Sequence, residues 1–196
     1  ADLCGFGADT TEDLVLRWMQ FGVFTPLMRN HAALGTREQE LYQFTNSEAT
    51  GRMVKIRYSL LPYLYSEYMK AALRDEMMFR PLAFDYPEDP YADQIEDQLM
   101  VGDSIMVAPV HEQNATGRYV YLPEDMMLVS MRSPEDYTVQ VVEQGHHYVP
   151  VAMDELIFFI KKDHVIPMAE SAKSVADMDF EHLSLLGYVT DKAVYE

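Results

Sequence analysis

The side chains best suited to chemistry lie where predicted strands end. Arg29 and His31 follow the short apolar run at 23–27, and Asp2 and Phe6 lie in what reads as the exit of an earlier strand. A neutral imidazole donates one hydrogen bond and accepts one, and a carboxylate accepts two or more. Taken singly, Asp2 would be a loop carboxylate and Phe6 a core residue. His31 would be a hydrogen-bonded structural histidine, and Arg29 an ion-pair partner.

Other residues that could act as a nucleophile or bind a metal give weaker evidence of a functional site. Cys4 is the only cysteine, so it forms no internal disulfide, and no neighbouring base is evident that would make it a nucleophile. His146 and His147 are adjacent in a predicted strand and would therefore point to opposite faces. The acidic residues between 88 and 97 lack the alternating ligands and central glycine of a calcium loop. We therefore predict no metal site and no cofactor.

The elements that position these residues begin with a predicted helix at 10–22, capped by Thr10 and buried along one apolar stripe. The apolar run at 23–27 is predicted to be a strand that presents Arg29 and His31 at its carboxyl end. Strand, helix and strand in this order are typical of a parallel β/α unit. A long helix is predicted at 47–73, and Pro62 should kink or break it.

The periodicity of the apolar residues changes from helical to that of short strands near three prolines between residues 80 and 90. One more short helix is predicted at 91–99. Short β-rich runs separated by turns then predict an antiparallel β-sandwich rather than further β/α units. These runs lie at 104–110, 119–122, 127–131, 137–142, 156–161 and 165–168.

Several stretches together resemble glycoside hydrolase family 31, the α-glucosidase family. Their residues are 1–6 (Ala-Asp-Leu-Cys-Gly-Phe), 17–24, 26–31 (ending in Arg-Asn-His), 57–65, 80–82 and 102–110. They occur in the order that the family has, over roughly residues 1–170. The resemblance implies an α/β part and an all-β part: residues 1–80 would be strands 7 and 8 and the final helices of a (β/α)8 barrel. Residues 81–170 would be an antiparallel β-sandwich, and 171–196 the truncated start of a distal β domain.

The same resemblance implies a substrate-binding site at the carboxyl ends of the barrel strands. Asp2 and His31 would bind or orient the terminal glucose unit of an α-glucoside oligosaccharide. Phe6 would form an apolar wall, and Arg29 would hold nearby carboxylates or the loop. These residue types suit a sugar, whose hydroxyls need both donors and acceptors and whose C–H face packs on an aromatic ring.

The resemblance also implies that the chain lacks the catalytic pair. A retaining glycosidase needs two carboxyl groups, one as nucleophile and one as acid/base. In the family both are aspartates on earlier barrel strands, so we expect this chain to be the C-terminal part of a longer α-glucosidase-like enzyme and inactive alone. A non-catalytic carbohydrate-binding or structural β module is the alternative, and a family member that has lost catalysis is another.

The net charge of the chain limits the classes of molecule that it can bind. The formal net charge of −17 would repel the phosphates of nucleic acids and the surface of anionic membranes. No apolar run approaches the roughly 20 residues of a membrane helix, and no signal peptide is evident. Together with the lone cysteine, these features predict a cytoplasmic protein whose partners are its sugar substrate and the missing N-terminal part of the same enzyme.

Overall fold

The computed structural model describes residues 2–195. Ala1, the first residue of the stretch 1–6, and Glu196, the last residue of the predicted distal β domain, lie outside the described residues. The chain begins with a strand, a helix and a strand: β1 (Asp2–Leu3), α1 (Glu12–Gly22) and β2 (Arg29–Asn30). β1 and β2 pair in parallel, with Asp2 opposite Arg29. The predicted parallel strand–helix–strand order is therefore present.

The strand predicted at 23–27 was wrong, and the cap of α1 is Thr11 rather than Thr10. Thr11 accepts a hydrogen bond from the backbone N–H of Leu14 at 3.2 Å. Val23 and Phe24 are buried, which explains the apolar signal, but they continue the turn that ends α1. The backbone N–H groups of Val23 and Phe24 bond to carbonyls within α1, so no strand ladder can form there.

The long helix α2 (Ser47–Arg74) continues through Pro62 without the expected break. A proline inside a helix costs about 3 kcal/mol, so packing must offset that cost. The neighbouring Tyr63 is fully buried, and its hydroxyl donates to the carbonyl of Val101 at 2.6 Å and accepts from the N–H of Ser104 at 3.0 Å. One turn earlier, the carbonyl of Ser59 accepts from the N–H of Ala169. The helix is thus held in place by the second half of the chain.

The second half is built mainly from antiparallel strands, as predicted. Its elements are β3 (Phe79–Pro81), the short helix α3 (Leu82–Asp85), β4 (Leu99–Val101), β5 (Ile105–Val107), β6 (Gly117–Leu122), β7 (Met126–Ser133), β8 (Asp136–Val142), β9 (Gly145–Pro150), β10 (Leu156–Lys161), β11 (His164–Met168) and β12 (Ser184–Tyr188). The helix predicted at 91–99 is only a 3-10 turn at Ala92–Gln94. It ends there because the backbone of Ile95 is extended, with φ −90° and ψ 109°.

Six of these strands form one sheet in the order β3-β4-β5-β10-β7-β8, while β6 pairs with β9 and β11 pairs with β12. Alternate residues of the six-stranded sheet face two different cores. On β10, Phe158 points into a core shared with α1, α2 and β11, and Phe159 points into a core shared with β6 and β9. This alternation follows from the two-residue period of a strand. The sheet is therefore covered on both faces except at its edge strand β8, most of whose residues are exposed.

No helix within residues 2–195 has the length and apolar character needed to span a membrane.

Candidate functional site

Parallel pairing of β1 with β2 brings two of the predicted site residues together. Asp2 lies opposite Arg29 in the register, and an Nη of Arg29 donates to Oδ1 of Asp2 at 2.5 Å. The Asp2 side chain is 29% exposed and that of Arg29 is 50% exposed, so the ion pair is open to solvent. The hydrogen bond from Arg29 lowers the pKa of the Asp2 carboxyl below its ordinary value, and the nearby His31 adds to this effect.

The other two predicted residues form a second contact beside that ion pair. The rings of Phe6 and His31 are stacked, with centroids 5.2 Å apart and planes 29° from parallel. Both side chains are exposed. The backbone N–H of Ala33 donates to the carbonyl of Phe6 at 2.9 Å, which joins the two loops that carry the rings. All four predicted residues therefore lie together, and we call Asp2, Phe6, Arg29 and His31 the strand-end cluster.

A tight turn after β1 connects Asp2 to Phe6. Cys4 and Gly5 both have positive φ angles, 72° and 89°, and the N–H of Gly5 donates to the carbonyl of Asp2. Left-handed backbone at a residue other than glycine is strained, which is common where a loop carries functional groups. Burial raises the pKa of the Cys4 thiol to about 11, which disfavours the thiolate form that a nucleophilic cysteine needs.

Gln39 links the loops that follow the two strands, and no motif or spacing in the sequence indicates this role. This side chain is 4% exposed, and its amide nitrogen donates to the carbonyl of Gly5 at 3.0 Å and to Oδ1 of Asn30 at 2.9 Å. In return, the amide nitrogen of Asn30 donates to the backbone carbonyl of Gln39. The amide of Gln39 thus fixes the loop carrying Phe6 against the strand end that carries His31.

We expect Gln39→Ala to lower the free energy of unfolding by about 1–3 kcal/mol, because it removes a buried side chain and its hydrogen bonds to partly buried acceptors on Gly5 and Asn30. Gln43→Ala is the matched control, since the Gln43 amide donates only to the exposed carboxylate of Glu38. Its effect should stay within about 0.5 kcal/mol. Urea unfolding of both variants measures the difference. Equal effects would show that Gln39 does not hold the loops together.

Arg57 of α2 supports the segment that leads into β2. Its guanidinium donates to the backbone carbonyls of Val23 at 2.8 Å and Thr25 at 2.7 Å, and also to those of Gly22 and Pro26. These carbonyls belong to the turn that replaces the predicted strand, so the guanidinium satisfies acceptors that a sheet would otherwise satisfy. Arg57 therefore fixes the approach of the chain to Arg29.

The strand-end cluster offers the groups that a polyhydroxylated ligand needs. Asp2 supplies acceptor oxygens, Arg29 supplies donors, and His31 can donate and accept. The exposed ring of Phe6, 47% accessible, offers an apolar surface beside them. Within residues 2–195 no three histidine, cysteine, aspartate or glutamate side chains converge on a possible metal position.

The other residues considered for metal binding have local partners instead. The ring of His146 packs against Tyr121, with centroids 4.8 Å apart, whereas His147 contacts the carbonyl of Glu143 at 2.7 Å. In the acidic segment, Asp97 forms an ion pair with Arg118 at 2.7 Å. These contacts account for the positions of the His146, His147 and Asp97 side chains without a bound ion.

Comparisons with known proteins identify both halves of the chain. Residues 1–67 match the family model described as the TIM-barrel domain of glycosyl hydrolases family 31. Residues 75–166 match the model described as the C-terminal domain of the same family. The boundary between the two matches falls at the end of α2, where the structure changes from the helical to the antiparallel part.

Individual relatives agree with the family models. Lysosomal alpha-glucosidase from Bos taurus is 33% identical over 94% of this chain, and Alpha-glucosidase 2 from Bacillus thermoamyloliquefaciens is 32% identical over 99% of it. The chain spans only 21% and 24% of the lengths of these two proteins. A solved Flavobacterium johnsoniae family 31 dextranase in complex with isomaltotriose superposes with a TM-score of 0.76 at 28% identity. That match covers 90% of this chain and 22% of the dextranase.

Proposed function

Because the chain belongs to glycoside hydrolase family 31, we propose that it is the C-terminal part of a retaining α-glucosidase-like enzyme. The enzyme would release terminal α-linked glucose from oligosaccharides. In this proposal residues 1–80 are strands 7 and 8 and the final helices of the (β/α)8 barrel, and 81–170 are the β-sandwich that follows. Residues 171–196 would begin a distal β domain.

The observation that carries this proposal is the strand-end cluster itself. Asp2 and Arg29 are opposite each other on parallel strands, and the stacked Phe6 and His31 lie just beyond the carboxyl ends of those strands. Active sites of (β/α)8 barrels lie on that side of the barrel. We propose that Asp2 and His31 bind hydroxyls of the terminal glucose, that Phe6 covers its C–H face, and that Arg29 orients Asp2.

The remaining machinery would come from a preceding part of the same enzyme. Retaining hydrolysis needs two carboxyl groups about 5–5.5 Å apart across the scissile bond. Exposed apolar side chains within residues 1–80 support the packing of such a preceding part against this region. A groove of about 340 Å³ runs between the segment before β2 and α2, and Leu27, Tyr65 and Tyr68 on its wall are each at least half exposed. We propose that earlier barrel elements cover this groove.

Hydrolysis of a nitrophenyl α-glucoside tests the proposed function. The intact enzyme should release nitrophenol, and this chain alone should not, because no nucleophile would be positioned to form the glycosyl-enzyme intermediate. Turnover by the chain alone would contradict the assignment of the catalytic pair to another part. An intact protein that binds oligoglucosides without hydrolysing them would instead favour a carbohydrate-binding module or a member that has lost catalysis.

The cellular location is a separate proposal. We propose the cytoplasm, which the single cysteine supports, since a reducing compartment needs no disulfide. Fractionation of cells that express the intact protein, with detection by an antibody, tests this location. Recovery in a vesicular or secreted fraction would contradict it.

A further inference from the structure

A second group of aromatic residues lies on the outer layer of the second half. In the register of β6 with β9, Tyr119 lies opposite Tyr148, and Tyr121 lies opposite His146. Tyr119, His146 and Tyr148 are exposed and alternate with the buried Val120, Leu122 and Val149, so they lie on the face of the strand pair that points away from the core. Tyr121 is only 4% exposed, because its neighbours cover it. Tyr91 joins them from the preceding loop. We call Tyr91, Tyr119, Tyr121, His146 and Tyr148 the aromatic face.

The rings of the aromatic face contact one another in two groups. Tyr119 and Tyr148 have centroids 5.2 Å apart at an angle of 69°. Tyr91, Tyr121 and His146 form a triangle with centroid separations of 4.8–5.5 Å. Residues two apart on a strand are about 6.6 Å apart, so the two groups lie next to each other along the strand pair. The outermost rings are open to solvent: Tyr119 is 76% exposed, Tyr148 53% and Tyr91 54%.

Hydrogen bonds hold part of this surface in a fixed arrangement. The hydroxyl of Tyr121 donates to Oδ2 of Asp89 at 2.5 Å, and the backbone N–H of Tyr91 donates to Oδ1 of the same carboxylate at 2.9 Å. Asp89 thereby links the loop of Tyr91 to β6. Rings that are already ordered lose little conformational entropy when a ligand packs on them. This order favours binding by stacking rather than by rearrangement.

We propose that the aromatic face binds α-linked oligoglucosides. The exposed rings of Tyr91, Tyr119 and Tyr148 would cover the C–H faces of sugar rings. Their hydroxyls and the His146 imidazole would donate to and accept from sugar hydroxyls, and the Asp89 carboxylate would accept from them. The net charge of −17 favours a neutral ligand over a nucleic acid or an acidic protein. The choice of α-glucosides within this class rests on the proposed function. The surface would hold a long substrate on the enzyme while its end is processed.

Calorimetric titration of this chain with maltohexaose tests the proposal. Wild-type protein should bind the sugar, and the double variant Tyr119→Ala with Tyr148→Ala should lose at least about ten-fold in affinity. Tyr137→Ala is the matched control, because Tyr137 is also an exposed strand tyrosine, 42% accessible, but lies on β8 in another sheet. Its affinity should equal that of wild type. Cellohexaose, which is β-linked, should bind more weakly than maltohexaose.

Several results would overturn the proposal. These are no binding of maltohexaose by wild type at millimolar concentration, unchanged affinity in the double variant, or equal affinity for cellohexaose. Loss of binding in His31→Ala but not in the tyrosine variant would place all sugar binding at the strand-end cluster. If the double variant does not fold, the maltohexaose affinity of the single Tyr119→Ala variant is measured instead. An affinity equal to that of wild type would then count against the proposal.

The intact enzyme provides the last comparison. If the double variant lowers its melting temperature and leaves maltohexaose binding unchanged, the aromatic face packs against another part of the protein, and the proposal fails. The proposed function is tested independently, by hydrolysis of a nitrophenyl α-glucoside too short to reach this surface. An enzyme that is active on that substrate but lacks binding at the aromatic face would contradict only this inference.

Discussion

In the intact enzyme, His31→Ala should lower kcat/KM by roughly ten- to several-hundred-fold. If the ring bonds to one or two hydroxyls of the terminal glucose, its removal leaves those groups unpaired in a site from which water is excluded. Each unpaired group costs about 1–3 kcal/mol, and about 1.4 kcal/mol corresponds to a factor of ten. His31 is exposed and stacks only on Phe6, so the free energy of unfolding should change little.

Kinetics and thermal unfolding of the same variant separate a binding role from a structural one. His182→Ala is the matched control, because His182 is also exposed and its imidazole pairs with Asp179 in a loop near the C-terminal end of the chain. That variant should retain wild-type kcat/KM. A His31→Ala enzyme with a lower melting temperature and unchanged kcat/KM would show that His31 is structural, and the assignment of the strand-end cluster would then be wrong.

Gly102→Ala should cause a loss of about 3–5 kcal/mol in the free energy of unfolding. Gly102 has a φ of 62°, and a Cβ at this position would overlap Cγ and Oε2 of Glu67 and lie 2.6 Å from its Cδ. Glu67 cannot move away easily, because its side chain is 3% exposed and bonds to the Lys70 ammonium and the Tyr195 hydroxyl. The substitution therefore combines backbone strain with the loss of a buried ionic network.

Gly35→Ala is the control that separates the two causes. Gly35 has a φ of 87°, but no atom lies within 4 Å of the position its Cβ would take. Backbone strain alone should cost about 1–2 kcal/mol. Urea unfolding of both variants measures the difference. If the two glycines give equal losses, the contact with Glu67 contributes nothing, and α2 is not held to the turn at Gly102 in the way the structure indicates.

Sequence periodicity predicted most of the helices and strands but not the turns between them. The continuous apolar run from Leu156 to Ile160 is a local pattern typical of a strand buried on both faces, and β10 is such a strand. The run at 23–27 is also mainly apolar, yet its backbone groups bond within the end of α1 and to Arg57, which lies more than 30 residues later. Pro62 is similar, since contacts distant in sequence stabilise the helix on either side of it.

The four residues of the strand-end cluster could be predicted because a family resemblance supplied their roles, not because their spacing did. Gln39 is a residue that the family resemblance does not identify. It lies in an irregular loop, belongs to none of the short stretches whose residues resemble the family, and acts through carbonyls of Leu3 and Gly5, which are more than 30 residues earlier. A glutamine becomes recognisable as a positioning residue only when its burial and its partners are known.

The shared core of the two halves has a consequence for synthesis on the ribosome. Buried residues of α1 and α2, such as Met19 and Ile56, pack against Phe158 and Met168 from the antiparallel half. About 90 residues separate the end of α2 from the end of β11, and at about 5–20 residues per second their translation takes roughly 5–20 s. During that interval the apolar side of both helices remains uncovered in the nascent chain. A chaperone that binds apolar segments should therefore contact this region before the last strands emerge.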